Sequence, residues 1–212
     1  MRRCLVVLAK TPGLSPVKTR LAEEIGETAA LAFYRMCKGC LDQFKGVKAY
    51  SMYVATGEKK GVNNSFWNGF STFHAKGDTL GEKQCFVFDC LLQKYEVVVL
   101  IGIDIPQINR ALINEAFLKL ERAHHVIGTA KDGGFYLLGT RKKIPKTIWN
   151  RINWSTAITG KQFVSSLDKK PLELKELTDV DYLSDVKAVV KEMPRNMSLG
   201  QQKIVSWIRE LT

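Results

Sequence analysis

Apolar positions along the chain change their period repeatedly, and each change marks an element. Residues 4–9 form an unbroken apolar run rich in β-branched side chains, the pattern of a strand buried on both faces. Residues 10–18 contain Pro12, Gly13 and Pro16 and read as loop. Leu21, Ile25, Ala29, Ala32, Phe33, Met36, Leu41 and Phe44 keep helical spacing, with a break near Gly26 and an end at Gly46. Residues 47–55 then read as a strand, 57–69 as a polar stretch of weak helical character, 70–74 as a short strand and 80–95 as a helix. The strongest strand signal is at 96–103. An amphipathic helix follows at 110–122, then strands at 125–130 and 135–139 on either side of Asp132-Gly133-Gly134. Residues 141–154 look irregular, 155–167 helical and 172–177 like an alternating strand. Helices at 181–192 and 199–211 close the chain, the second with Ser198 and Gln201 spaced for a capping box. Strands alternating with helices predict an α/β fold, a three-layer α/β/α sandwich around a mainly parallel sheet. The expected organisation is one domain over residues 1–193 and a C-terminal helical extension over 194–212.

Length and composition agree with that outline. A chain of 212 residues suits one domain, and 45% hydrophobic with 25% charged residues excludes a disordered, collagen-like or heptad-dominated chain. Charge changes the picture more. Thirty-two Lys and Arg against 21 Asp and Glu leave a net +11, which points to an anionic partner: nucleic acid, an acidic membrane surface or a phosphorylated small molecule. The excess is local. Arg2, Arg3, Lys10, Lys18 and Arg20 fall in the first twenty residues with no acid, and residues 141–170 carry eight basic side chains against Asp168 alone. Two such concentrations suit a pocket or a patch. Aromatic residues do not interleave with the basic runs as a stacking platform requires, so nucleic acid is disfavoured.

The apolar run after Met1-Arg2-Arg3 is ended by Lys10, too soon for a signal peptide, and residues 97–103 are too few to span a bilayer. A cytoplasmic protein with no membrane span is expected, and its five cysteines at 4, 37, 40, 85 and 90 are expected to be reduced. Cys37-x-x-Cys40 and Cys85-x4-Cys90 do not make a zinc site, because Cys85 and Cys90 fall on different faces of one helix. His74, His124 and His125 lack metal-ligand spacing and read as structural or surface residues. The sequence leaves the oligomeric state open.

In open parallel sheets ligands gather at the carboxyl ends of strands. Lys10, Thr11, Gly13, Lys18, Thr19 and Arg20 follow the first strand, Asp104 follows the strand at 96–103, and Asp132 with two glycines follows that at 125–130. Cations and a glycine-bearing loop before a helix suit a di- or triphosphate, and carboxylates across the same crevice suit Mg²⁺. The chain has no G-x-x-x-x-G-K-[ST], no G-x-G-x-x-G after its first strand and no G-x-S-x-G elbow, which removes P-loop, dinucleotide-binding and serine-hydrolase readings.

Seven motifs occur in order: Leu8-Ala-Lys10-Thr-Pro12-Gly, Val17-Lys-Thr-Arg20-Leu-Ala, Leu80-Gly81-Glu82, Gly102-Ile-Asp104-Ile-Pro106, Asp132-Gly-Gly134-Phe-Tyr136-Leu-Leu-Gly139, Trp154-Ser-Thr156 and Asp179-Val-Asp181. The set resembles the bacterial glycosyltransferase-like family of the nucleotide-diphospho-sugar transferase superfamily, which has the GT-A fold, over residues 4 to about 190. The 17–21 stretch and the D-x-P element are also similar to the guanylyltransferases that make molybdenum-cofactor and phospholactate conjugates. The resemblance implies a transferase that uses Mg²⁺ or Mn²⁺ to move a glycosyl group from a nucleotide sugar to an acceptor. The same pocket could instead serve nucleotidyl transfer from an NTP to a phosphorylated acceptor, releasing pyrophosphate; a non-catalytic basic binding module is the third reading. Lys10, Gly13, Lys18, Arg20 and Gly81 would meet the nucleotide phosphates. Asp104 would hold the metal, and Asp132 would bind metal or acceptor and orient or deprotonate the acceptor. Gly133, Gly134, Trp154, Ser155 and Thr156 would lie on the acceptor side. The chain departs from the family pattern in three places: Ile103 and Ile105 flank Asp104, Lys83 replaces an arginine, and Tyr182-Leu183 replace a Thr-Pro helix start, so Asp181 reads first as a helix cap.

Overall fold

Seven strands carry the architecture. In the computed structural model, described for residues 1–211, β1 (Arg3–Ala9), β2 (Ser51–Thr56), β3 (Thr72–His74), β4 (Val97–Gly102), β5 (His125–Thr129), β6 (Phe135–Thr140) and β7 (Leu172–Glu173) form one sheet. Their order is β3-β2-β1-β4-β6-β5-β7. β1 runs parallel to β2 and β4, β2 to β3 and β5 to β7, while β6 is antiparallel to both β4 and β5. The helices are α1 (Thr19–Ile25), α2 (Glu27–Cys40), α3 (Leu80–Leu91), α4 (Arg110–Leu120), α5 (Lys146–Arg151), α6 (Thr159–Ser166), α7 (Leu183–Glu192) and α8 (Leu199–Leu211). The α/β class and the mainly parallel sheet are as the hydrophobic pattern predicts.

Alternation along the central strands builds two cores. Leu5, Val7, Val97, Val99 and Ile101 face the layer that contains Leu21, Phe33, Phe117, Val186 and Ile204. Cys4, Val6, Val98, Leu100 and Leu138 face the other, with Phe88, Trp149 and Phe163. β1 and β4 are thus covered on both sides, which is why they read as continuous apolar runs. The reversal into β6 comes from Asp132-Gly133-Gly134. Gly133 takes a positive φ of 89°, the Gly134 N–H donates to Asp132 Oδ1 at 2.9 Å, and Ala130 N–H bonds Gly134 O at 3.1 Å, closing a hairpin.

Several boundaries differ from the sequence reading. β2 starts at Ser51, because residues 47–50 belong to the turn before it. The stretch 141–154 is not wholly irregular: α5 forms there, anchored by the buried Trp149. β7 has two residues, extended only by an isolated bridge between Ala130 and Leu177. Asp181 is not a helix cap, since Asp185 Oδ2 accepts the N–H groups of Asp181 (3.0 Å) and Tyr182 (2.8 Å) at the start of α7. The expected box at α8 does form, with Ser198 N–H on Gln201 Oε1 at 2.9 Å and Gln201 N–H on Ser198 Oγ at 3.3 Å. All five cysteines are free thiols. Among the described residues no helix is long and apolar enough to cross a membrane.

α8 packs into the first core through Ile204 and Ile208, and Trp207 meets Phe33 with ring centroids 5.8 Å apart. Gln201, fully buried, donates to Pro106 O (2.8 Å) and Ile108 O (3.1 Å), tying the chain's end to the segment after β4. The close approach needs Gly200, where a Cβ would lie 2.7 Å from the backbone of Gly39 and Cys40. Gly200→Ala is expected to destabilise the fold by about 1–3 kcal/mol, as overpacking does, measured by urea unfolding; an unchanged midpoint would mean that α8 can shift freely.

Candidate active site

The carboxyl ends of β1 and β4 open onto a crevice of about 860 Å³. Its charged lining is Lys10, Lys18, Arg20 and Lys83 with Glu58, Asp78, Asp104, Asp132, Asp179 and Asp181. Carboxylates outnumber cations in a place where the basic first loop was expected to concentrate positive charge.

Lys18 organises this acidity. Its side chain is 2% exposed, and Nζ lies 2.8 Å from Asp104 Oδ2, 3.3 Å from Asp181 Oδ1 and 4.0 Å from Asp179 Oδ1. The ammonium also donates to Val180 O. Burial opposes the charged form, but Asp104, Asp179 and Asp181 outweigh it and hold Lys18 above the ordinary lysine range. The backbone of Lys18 is left-handed, φ 50° and ψ 43°, which costs a non-glycine residue about 1–2 kcal/mol. That conformation ends the first loop, and Lys18 O accepts Ala22 N–H at 2.8 Å as α1 begins. Asp179 is shifted the other way: burial first, then the Asp104 carboxylate, push its carboxyl up to about 8.

Each charged group is held by local structure. Ile103 and Ile105 are buried in the first core, so Asp104 between them turns outward; the flanking isoleucines that looked like a departure are its anchors. The segment bearing Asp179 and Asp181 hangs on Glu192 of α7. Glu192 accepts Thr178 N–H (2.8 Å), Thr178 Oγ1 (2.6 Å), Gln107 Nε2 (2.9 Å) and Lys131 Nζ (2.7 Å), and these contacts lower its pKa to about 2 against the cost of burial. Gln107 Nε2 also donates to Thr178 O at 2.8 Å, and Val180 N–H reaches Asp104 O at 3.4 Å, so the two acidic segments are stitched side by side. The loop after β1 is fixed at Thr11, which is fully buried. Its N–H meets Glu58 Oε2 at 2.9 Å and its Oγ1 accepts Trp67 Nε1 at 3.0 Å.

The other sequence-predicted residues fall as follows. Lys10 is exposed at the rim, with Nζ 3.4 Å from Pro16 O. Arg20 lies over the Tyr182 ring and pairs with Asp181 Oδ2 at 2.7 Å. Asp132 and Gly134 line the crevice with Trp154, Ser155 and Thr156. Gly13, with φ 81°, lines a neighbouring depression and not the crevice. Gly81 and Gly133 are not crevice residues either: a Cβ on Gly81 would lie 2.2 Å from Trp154 Nε1, and one on Gly133 would lie 1.9 Å from Ala157 O. Both make room for the 154–157 turn. Asp179 was missed as a site residue, as were Glu58 and Asp78, while Lys83, noted as a departure from the family pattern, also lines the crevice. The Asp179-Val-Asp181 motif carried the signal, but its closeness to Asp104 comes only from the Glu192 and Gln107 contacts.

Two carboxylate oxygens, Asp104 Oδ1 and Asp179 Oδ1, are buried and have no hydrogen-bond partner among the described residues. Their carboxylates share the Lys18 ammonium, and hard oxygens of this kind fit a divalent cation such as Mg²⁺ or Mn²⁺.

The sheet order and the crevice at its carboxyl edge belong to an α/β protein with the fold of the nucleotide-diphospho-sugar transferases. The chain belongs to the family described as "Uncharacterized protein conserved in bacteria (DUF2064)", which matches residues 41–156. The crystal structure of a candidate nucleotide-diphospho-sugar transferase from Desulfovibrio desulfuricans G20 aligns with a TM-score of 0.85 at 25% identity, over 99% of this chain and 95% of that one. Two further structures share the fold. One is a 4-diphosphocytidyl-2C-methyl-D-erythritol synthase from Anaerococcus prevotii DSM 20548, with TM-score 0.57 and 11% identity over 90% of this chain and 96% of that one. The other is a cytidylyltransferase from Leptospira borgpetersenii serovar Hardjo-bovis (strain JB197), with TM-score 0.53 and 13% identity over 100% and 95%. No curated protein matches the sequence.

Removing Lys18 leaves its carboxylates without a counterion. Lys18→Ala should cost about 3 kcal/mol in chemical denaturation, and adding Asp104→Asn should restore part of it; additive losses would show that the two groups do not interact. Asp179, with a raised native pKa, binds more protons folded than unfolded, so it makes stability fall as pH rises from the ordinary carboxylate range to about 8. Asp179→Asn should therefore flatten the fall in melting temperature over that window, and an unchanged slope would contradict the assignment.

Proposed function

We propose that the chain is a metal-dependent transferase acting at the diphosphate of a nucleotide donor, and that it moves a glycosyl group from a nucleotide sugar to an acceptor. The observation that carries this reading is the pairing of Asp104 with Asp179 at the carboxyl end of β4, each with a buried oxygen lacking a hydrogen-bond partner among the described residues. An acidic crevice repels a diphosphate unless a cation accompanies it, so the lining itself argues for a metal-nucleotide complex as the ligand. Asp104 and Asp179 would hold Mg²⁺ or Mn²⁺, which when bound would neutralise charge on the leaving diphosphate.

The chain's own side chains supply the rest. Lys10 and Lys83 are the rim cations outside the Lys18 cluster, placed to meet phosphate oxygens, and Arg20 can join them by releasing Asp181. Lys18 is a positioning residue: its ammonium sets the spacing of the carboxylates. Asp132 would accept the proton of an acceptor hydroxyl, its Oδ1 held by the Gly134 N–H, with Trp154, Ser155 and Thr156 along the acceptor's path.

Nucleotidyl transfer is the second reading. It is favoured by Asp104 standing in a D-x-P and not a D-x-D, with its acidic partner on a separate segment, opposite the Lys18-Thr19-Arg20 loop. It also accords with the resemblance to the guanylyltransferases. The donor's base, the sugar and the acceptor belong to whichever chemistry holds.

Thermal shift against UDP, GDP and the nucleoside triphosphates tests the site. With Mg²⁺, the right nucleotide at a hundred times its Kd should raise the melting temperature by about 5–10 °C. The shift should vanish in Asp104→Ala. If no nucleotide stabilises the protein with the metal present, the proposal fails. Release of nucleoside diphosphate would support glycosyl transfer, and release of pyrophosphate the second reading.

A further inference from the structure

At the opposite end of the sheet from the crevice, three side chains converge from separate segments. His124 and His125 stand at the start of β5, and Asp168 lies in the connection between α6 and β7. β5 delivers Ala130 to the crevice only at its other end, so this cluster is separate from the candidate active site. Their ligating atoms all lie within 4.8 Å of one another. His125 Nε2 is 3.4 Å from Asp168 Oδ1, and His124 Nδ1 is 3.9 Å from Asp168 Oδ2.

Hydrogen bonding around Thr140 fixes the tautomer. Thr140 Oγ1 accepts Lys142 N–H at 3.0 Å, and its single proton goes to Lys142 O at 2.6 Å, the nearer of two carbonyls, His124 O lying at 3.3 Å. The contact between Thr140 Oγ1 and His125 Nδ1, 3.0 Å, therefore has the imidazole as donor. That leaves a bare lone pair on His125 Nε2, pointing at a carboxylate oxygen. His124 Nδ1 is buried and has no hydrogen-bond partner among the described residues. Two acceptors, His125 Nε2 and the Asp168 carboxylate, thus face one another with the unpartnered His124 Nδ1 beside them, an arrangement that a cation between them satisfies. A proton on His125 is one answer. A metal ion is the other, and it also takes up the unpartnered His124 Nδ1.

We propose that His124, His125 and Asp168 form a binding site for a divalent transition-metal cation of the Zn²⁺ class. Two imidazoles and a carboxylate are a zinc-type donor set, and the open fourth position would take water. Zinc–ligand bonds of about 2.0–2.2 Å require the three atoms to draw together by less than a side-chain rotation. Thr140 provides the outer hydrogen bond that orients a metal-ligating histidine. Of the lysines that follow Asp168, Lys170 pairs with Glu173 at 3.9 Å. A bound ion would clamp the α6–β7 connection to the start of β5.

The test uses the full chain after chelator treatment, titrated with ZnCl₂ by calorimetry and with CoCl₂ by visible absorption. Titrated with Mg²⁺ in excess to occupy the crevice carboxylates, wild type should bind one ion saturably, and cobalt should give the intense bands of a low-coordinate imidazole site. His124→Ala and Asp168→Ala should each weaken binding at least tenfold and abolish those bands. Both residues are well exposed, at 38% and 70%, so the variants should fold, which far-UV circular dichroism checks. Asp104→Ala serves as the control for the crevice and should keep both signals. Wild type that binds no ion, or binding that survives both variants and disappears in Asp104→Ala, would overturn the proposal and leave His125 and Asp168 as a protonated ion pair.

Discussion

One buried ammonium holds the candidate active site together. Lys18 gathers Asp104 from the end of β4 and Asp179 and Asp181 from the segment before α7, three carboxylates that would repel one another without it. Its left-handed backbone places the side chain inward at the point where the loop after β1 turns into α1. Two acidic segments far apart in sequence become one site, with Glu192 and Gln107 fixing their separation from behind. The ammonium keeps the carboxylates in place before any ligand arrives.

Charge that looked like a phosphate pocket in the sequence is distributed differently in the fold. The crevice is acidic, and several of the basic side chains have structural partners elsewhere. Arg141 reaches the last carbonyls of α4, with Nη1 3.3 Å from Leu120 O and from Glu121 O, where a cation also complements the helix dipole. Lys143 pairs with Asp89 of α3 at 3.2 Å, and Arg3 with Glu121 at 2.7 Å. Net charge therefore predicted an anionic partner for a reason that the site does not share. What argues for a nucleotide is the geometry of the carboxylates together with the rim cations Lys10 and Lys83.

The fold was largely legible because buried parallel strands write themselves as apolar runs: β1 and β4 could be read directly, and the Asp132-Gly133-Gly134 turn marked the hairpin. β7 was found by the alternation at 172–177 but read too long, since only Leu172 and Glu173 join the sheet, and α5 was not legible, because its one buried anchor, Trp149, sits among basic residues. Of the site, Asp104, Asp132 and the first loop could be placed from their positions after strands. Asp179 could not, because its closeness to Asp104 is set by long-range contacts through Thr178 and Glu192. Gly81 and Gly133 misled for another reason: a glycine beside a motif suggests backbone approach to a ligand, whereas these two admit Trp154 and Ala157.

The account turns on whether the Asp104–Asp179 pair receives a metal-bound nucleotide. A crystal structure of the protein soaked with Mn²⁺ and a nucleoside diphosphate, with anomalous scattering to locate the metal, tests this most directly. The account predicts a manganese peak touching Asp104 and Asp179, with the diphosphate between it and Lys10. A crevice that stays empty at saturating ligand, or a manganese–nucleotide complex bound elsewhere, would contradict it.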